Sequence, residues 1–146
     1  MKKIISMLIL FSAAIIILPS CGKKGCTDAQ AKNYCEKCKK DDGSCTYEGK
    51  IIFWYNQTTA NFLVNDGATS LNYYVDGQLI GSSSASVYYT SSPSCTSNGH
   101  ASQTKDLGKS KSQSSSYSVK DQTSFEYWSG SVTFDATKEC TTYQLQ

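Results

Sequence analysis

The chain contains no arginine, and a single histidine. Its positive charge rests on fourteen lysines, set against twelve acidic residues. A nucleic-acid footprint needs a dense basic face, usually built with arginine, so that class of partner is excluded. The one histidine, His100, sits in the loop-like string SNGH with only Asp106 as a nearby acid, and no G-x-S-x-G elbow presents a serine to it. P-loop, dinucleotide fingerprint and H-E-x-x-H are also missing. Carboxylates for glycoside hydrolysis can be drawn from Asp121, Glu126 or Glu139, but nothing singles out a pair. The expectation is a protein that is not an enzyme, has no cofactor, and carries His100 on an exposed loop. No apolar pattern of helical period extends over ten residues, which argues for an all-β chain. The longest apolar run, Ile4 to Leu18, has fifteen residues. That is short of the roughly eighteen preferred for a membrane span.

What is present begins with that run. Lys2 and Lys3 precede it, and charge followed by a short apolar stretch is the pattern of an export signal, here residues 1–20. Its end, LPSC (Leu18 to Cys21), resembles the lipobox of bacterial lipoproteins. The resemblance implies cleavage before Cys21 and a diacylglyceryl group on its thiol; Pro19 is an unusual occupant of the variable position. An ordinary signal followed by a structural cysteine, or a retained transmembrane anchor, are the competing readings. Each buried methylene contributes roughly 0.8 kcal/mol, so two or three acyl chains hold a protein on a membrane almost indefinitely. The expected location is the outer membrane, lipid-anchored, with the membrane as a partner. The following GKKG lacks the acidic run that resembles a surface-export signal, which favours a periplasm-facing placement over the cell surface.

Seven cysteines are present, and if Cys21 carries lipid, six remain: Cys26, Cys35, Cys38, Cys45, Cys95 and Cys140. An even remainder in an oxidising compartment implies disulfides. After a tether at residues 21–25 comes a cysteine-rich segment, 26–47, spaced C-x8-C-x2-C-x6-C. Structural zinc sites usually present two close pairs, and only Cys35 and Cys38 form one here. Their CxxC also lacks the helix and βαβ surroundings that a thiol oxidoreductase uses. Gly25-Cys26-Thr27-Asp28, Asn33-Tyr34 and Asp41-Asp42-Gly43-Ser44-Cys45, then Tyr47, resemble a short module of secreted and cell-surface proteins in Bacteroidota-type bacteria, although Ala29 replaces its usual proline. The common module has only the outer two cysteines, which implies a Cys26–Cys45 bond. Cys35 and Cys38 are then an added pair that bond each other, although four cysteines allow three pairings. Asp28, Asn33, Asp41 and Asp42 supply hard oxygen ligands for calcium, without the alternating pattern of an EF-hand loop. The expectation is therefore no metal, with calcium at those four residues as a minority reading.

Residues 50–146 read as a small β-sandwich, Ig-like or transthyretin-like. KIIFWY (50–55), NFLV (61–64) and SVYYT (86–90) are β-prone, and Asp76-Gly77 between apolar strands is a hairpin signal. Tyr117 and Val119, Phe125 and Tyr127, Val132 and Phe134, and Tyr143 and Leu145 alternate onto common faces. Between Gly81 and Ser118, fifteen of thirty-eight residues are serine, so long mobile loops are expected there. A bond between Cys95 and Cys140 would close about 46 residues and stabilise the fold by roughly 4 kcal/mol. YYVDGQLIGS, YSVKD, WSGSVTF and TYQL resemble the strand order of PEGA-like and transthyretin-like sandwiches on bacterial envelope proteins. Aromatic residues are expected to fill a leucine-poor core, Trp54 among them, while Trp128 beside Ser129-Gly130 is a candidate for ligand binding. The reading is a lipid-anchored envelope protein with a binding or assembly role and an unidentified protein or glycan partner. A carbohydrate- or calcium-dependent adhesin-like module is the alternative, and a small hydrolase the third.

Overall fold

A computed structural model describes residues 22–146; residues 1–20, read as an export signal, and Cys21, read as the site of lipidation, lie outside the described residues. The architecture is an all-β sandwich with one short helix. The elements are β1 (Tyr47–Trp54), α1 (Gln57–Asn65), β2 (Ser70–Val75), β3 (Gln78–Ser84), β4 (Ala101–Gly108), β5 (Ser112–Asp121), β6 (Glu126–Asp135) and β7 (Thr141–Gln144). One sheet has the order β4-β1-β7 and the other β3-β2-β5-β6. β1 pairs with β4 antiparallel and with β7 parallel.

Alternation along the strands sets the core. Ile51 and Phe53 of β1 are fully buried, and the Phe53 ring meets Tyr73 at 6.0 Å, Tyr117 at 5.3 Å and Tyr143 at 5.9 Å. Aromatic rings thus bridge the two sheets where leucine is scarce, each removing a large apolar area from water. Trp54 is not among the core residues: it lies half-buried on the opposite face of β1, while Tyr55 is fully enclosed. Ile52 shares that outward face and yet is buried. The irregular segment 85–100 covers it, since a Cβ on Gly99 would lie 2.5 Å from both Ile52 Cγ2 and the Phe53 carbonyl oxygen. The Cys95–Cys140 disulfide, a hydrogen bond from His100 N to Phe53 O and one from Tyr89 N to Tyr55 O hold the segment down.

The Asp76-Gly77 turn joins β2 to β3 with both residues at positive φ (49° and 77°), the conformation that matches the twist of a two-residue hairpin. Three segments depart from the sequence reading. NFLV is helical, not extended: Asn56 caps α1 by accepting from Thr59 N, and Thr59, Ala60 and Leu63 form its buried stripe. SVYYT forms no strand. The serine-rich stretch, expected to form long loops in parts, is irregular over 85–100 but also supplies the end of β3, all of β4 and most of β5, where exposed serines alternate with Tyr117 and Val119 on the buried face.

The cysteine-rich segment packs onto the sandwich. Cys26 and Ala31 belong to the same buried cluster as Phe53 and Leu107. Cys26–Cys45 and Cys35–Cys38 staple it, and Lys24 bridges Lys40 to close its base. Asp28 Oδ2 accepts from Tyr47 Oη at 2.8 Å and pairs with Lys111 Nζ at 2.6 Å. The Lys111 hydrogen bond, then the Gln30 N–H and the Tyr47 hydroxyl, hold its carboxyl down to about 2.

Candidate functional site

One end of the sandwich carries an open groove of about 660 Å³, between α1 and the start of β6. The helix exists there because Asn56 caps it and because Asp66 and Gly67 end it, with Gly67 at φ 93°. Phe62 then falls outside the buried stripe of Thr59, Ala60 and Leu63 and is 57% exposed. The β5–β6 turn supplies the other wall. Buried Asp121 accepts from Thr123 N at 2.8 Å and from Phe125 N at 2.9 Å. Burial pushes that carboxyl up, but the hydrogen bonds from Thr123 and Phe125 prevail and hold it below the usual carboxylate range. The turn so fixed leaves Phe125 59% exposed, with Tyr127 and Trp128 following at the groove.

Four aromatic side chains therefore line one site: Phe62, Phe125, Tyr127 and Trp128. Phe125 and Phe62 meet the Tyr127 ring edge-on, at 5.1 and 6.3 Å, and Trp128 lies 5.7 Å from it. Trp128 Nε1 donates to Gln146 O at 3.2 Å, which fixes the indole. The polar lining comprises Asn56, Thr58, Thr59, Asp66, Glu126 and Gln146. Asp66 Oδ2 accepts from Tyr127 Oη at 2.7 Å, and Glu126 faces Lys120 at 3.8 Å. Burial first, and then the Asp66 carboxylate, push the Tyr127 hydroxyl up to about 12, so it stays protonated at neutral pH.

Of the residues singled out in the sequence, Trp128 and Glu126 come together here. Phe62, Asp66 and Asn56 join them unannounced. Asn56 three residues before Thr59, with Asp66-Gly67 closing the segment, was the available signal for a helix at this place.

The calcium candidates are not brought together. Asp28 pairs with Lys111 and Tyr47, and Asn33 clips Ser44 O and Thr46 N. Asp41 and Asp42 each accept from the backbone two residues on. Among the described residues, no group of three or more histidine, cysteine, aspartate or glutamate side chains is placed to hold a metal ion. His100 is a correction: it is buried, not exposed. Its ring stacks on Tyr55 at 3.9 Å, Tyr89 meets it edge-on at 5.0 Å, and neither ring nitrogen has a hydrogen-bond partner. Burial pushes the imidazole down to about 4. Asp106, the acid nearest it in sequence, instead accepts from Gly108 N. Glu139 lies outside the groove lining. No helix among the described residues is long and apolar enough to cross a membrane. The chain matches no protein-family model, no curated protein and no solved structure.

Proposed function

We propose that the chain is an exported, lipid-anchored cell-envelope protein that binds a ligand in the groove beside Trp128 and performs no catalysis. The groove carries this reading. Phe62 and Phe125 are each more than half exposed, whereas the other two phenylalanines among the described residues, Phe53 and Phe134, are fully buried. Contiguous apolar surface rimmed by polar groups marks a binding site more often than it marks chance exposure. The N-terminal pattern supports the anchor: Lys2 and Lys3, a fifteen-residue apolar run, then LPSC. Three disulfides suit an oxidising compartment outside the cytoplasm. The GKKG that follows Cys21, free of acids, favours the periplasm-facing side of an outer membrane.

Two measurements test the reading. Mass spectrometry of the mature protein is expected to show a chain beginning at Cys21 and bearing acyl mass; an unmodified Cys21 defeats the anchor. Co-sedimentation of the detergent-solubilised protein with lipid-free envelope polysaccharide is expected to fall for Trp128→Ala and Phe125→Ser. Retention that ignores both substitutions defeats the groove as the ligand site.

A further inference from the structure

We infer that the groove takes a neutral, hydroxyl-rich ligand, a glycan chain without carboxylate or sulfate groups; this rests on the groove being the ligand site. The argument starts from charge. The lining contains Asp66 and Glu126 and no lysine. An anionic sugar entering beside them meets like charge, and the neighbouring cation, Lys120, lies outside the lining and is paired with Glu126 at 3.8 Å; like-charge juxtaposition is a strong rejecting element.

Hydrogen-bond capacity narrows the class further. Asn56 Oδ1 is committed to Thr59 N at 3.0 Å, and this contact fixes which way the amide faces. Its Nδ2 makes no hydrogen bond among the described residues, which leaves a donor on a residue of the lining. Asp66 and Glu126, in the same lining, are acceptors. Donor and acceptors over one aromatic floor suit a partner whose groups do both, which is what a hydroxyl does. An ammonium group accepts no hydrogen bond and so leaves the Asn56 donor idle. Phe62 and Phe125 meet Tyr127 at 88° and 78°, which makes a continuous aromatic wall. The carbon-bound hydrogens on the flat face of a sugar ring are complementary to the negative face of an indole or phenyl ring, and stacking there also removes apolar area from water.

The test titrates the intact protein in detergent, by calorimetry, with cellohexaose, xylohexaose, mannohexaose and chitohexaose. Hexagalacturonate is the anionic probe; hexalysine and choline are the cationic ones. At least one of the four neutral hexasaccharides is expected to bind and the hexagalacturonate not to bind. Trp128→Ala and Phe125→Ser are each expected to weaken binding by about tenfold, the loss of one stacked ring. Asn56→Asp keeps the helix cap but replaces the donor by an acceptor. It is expected to weaken the neutral glycan several-fold at an unchanged melting temperature. Binding by none of the four, or binding indifferent to Phe125→Ser and Trp128→Ala, overturns the inference. Binding of hexalysine or choline instead, strengthened by Asn56→Asp and lost in Trp128→Ala, overturns the glycan while sparing the groove. No binding by any probe, together with polysaccharide co-sedimentation indifferent to Trp128→Ala, sinks both.

Discussion

His100 spends its life between rings. Stacked on Tyr55 and parallel to Tyr73 at 6.4 Å, it acts as a neutral aromatic, because a charged imidazole without a partner would bear the full cost of desolvation. The unfolded chain binds a proton near pH 6.5, whereas the folded chain does so only near 4. The unfolded state therefore holds more protons between these values. The His100 contribution is complete above about pH 6.5 and lost progressively as pH falls toward 4, for a total of about 3 kcal/mol. Urea melts at pH 7, 5.5 and 4 are expected to show this decline, and His100→Phe to flatten it. An equal decline in the variant would assign it to other groups. Asp28, Asp76, Asp121 and Asp135, all held below the usual carboxylate range, contribute their losses only at lower pH. Gly99 is the second residue with no substitute. At φ 57°, with Ile52 and the Phe53 carbonyl where a Cβ would stand, Gly99→Ala is expected to cost about 2–3 kcal/mol. A denaturation midpoint unchanged from the parent would refute the close packing of segment 85–100 on β1.

At the scale of elements, α1 makes the groove and is marginal by itself. Nine residues are too few to hold a helix in water, so its persistence depends on the Asn56 cap and on Leu63 and Ala60 packed into the core. Asn56→Ala is expected to cost about 1 kcal/mol and Asn56→Asp almost nothing. Thermal melts of the pair separate the cap, which Asp keeps, from the Nδ2 donor, which both variants lack. The helix was illegible for the same reason: over nine residues its buried stripe consists of Thr59, Ala60 and Leu63, while Phe62 and Val64 face outward and mimic an apolar strand. The hairpin, in contrast, was written in two adjacent residues, since Asp76-Gly77 needs only local backbone geometry. β4 carried no such mark, because Ala101 and Leu107 are its only buried residues and its pairing to β1 is decided by contact with a strand some fifty residues earlier.

For the whole molecule, three disulfides constrain loops of very different length. Cys95–Cys140 spans a sequence separation of 45, Cys26–Cys45 of 19 and Cys35–Cys38 of 3. On a chain-entropy argument their contributions are about 4, 3 and 2 kcal/mol respectively. Paired Cys→Ser variants are expected to lose denaturant stability in that order. A Cys35→Ser/Cys38→Ser double variant as unstable as Cys95→Ser/Cys140→Ser would show that strain or packing, and not loop closure, sets the values. Cys26 makes its bond inside the common core, so removing it also opens a gap beside Ala31 and Tyr47.

Taken by itself, the sequence determined whatever is local or periodic. The β class followed from alternation at Tyr117 and Val119 and at Val132 and Phe134, and the turn from Asp76-Gly77. Tertiary structure alone decided which exposed aromatics share a site. Phe62 and Tyr127 are sixty-five residues apart and meet only because Asp66, Gln122 and Asp121 tie the end of α1 to the β5–β6 turn. It likewise decided that His100 is buried. A histidine in a polar loop carries no sign of the tyrosines that close over it. Enclosure depends on contacts between distant segments, and single-residue chemistry does not encode them.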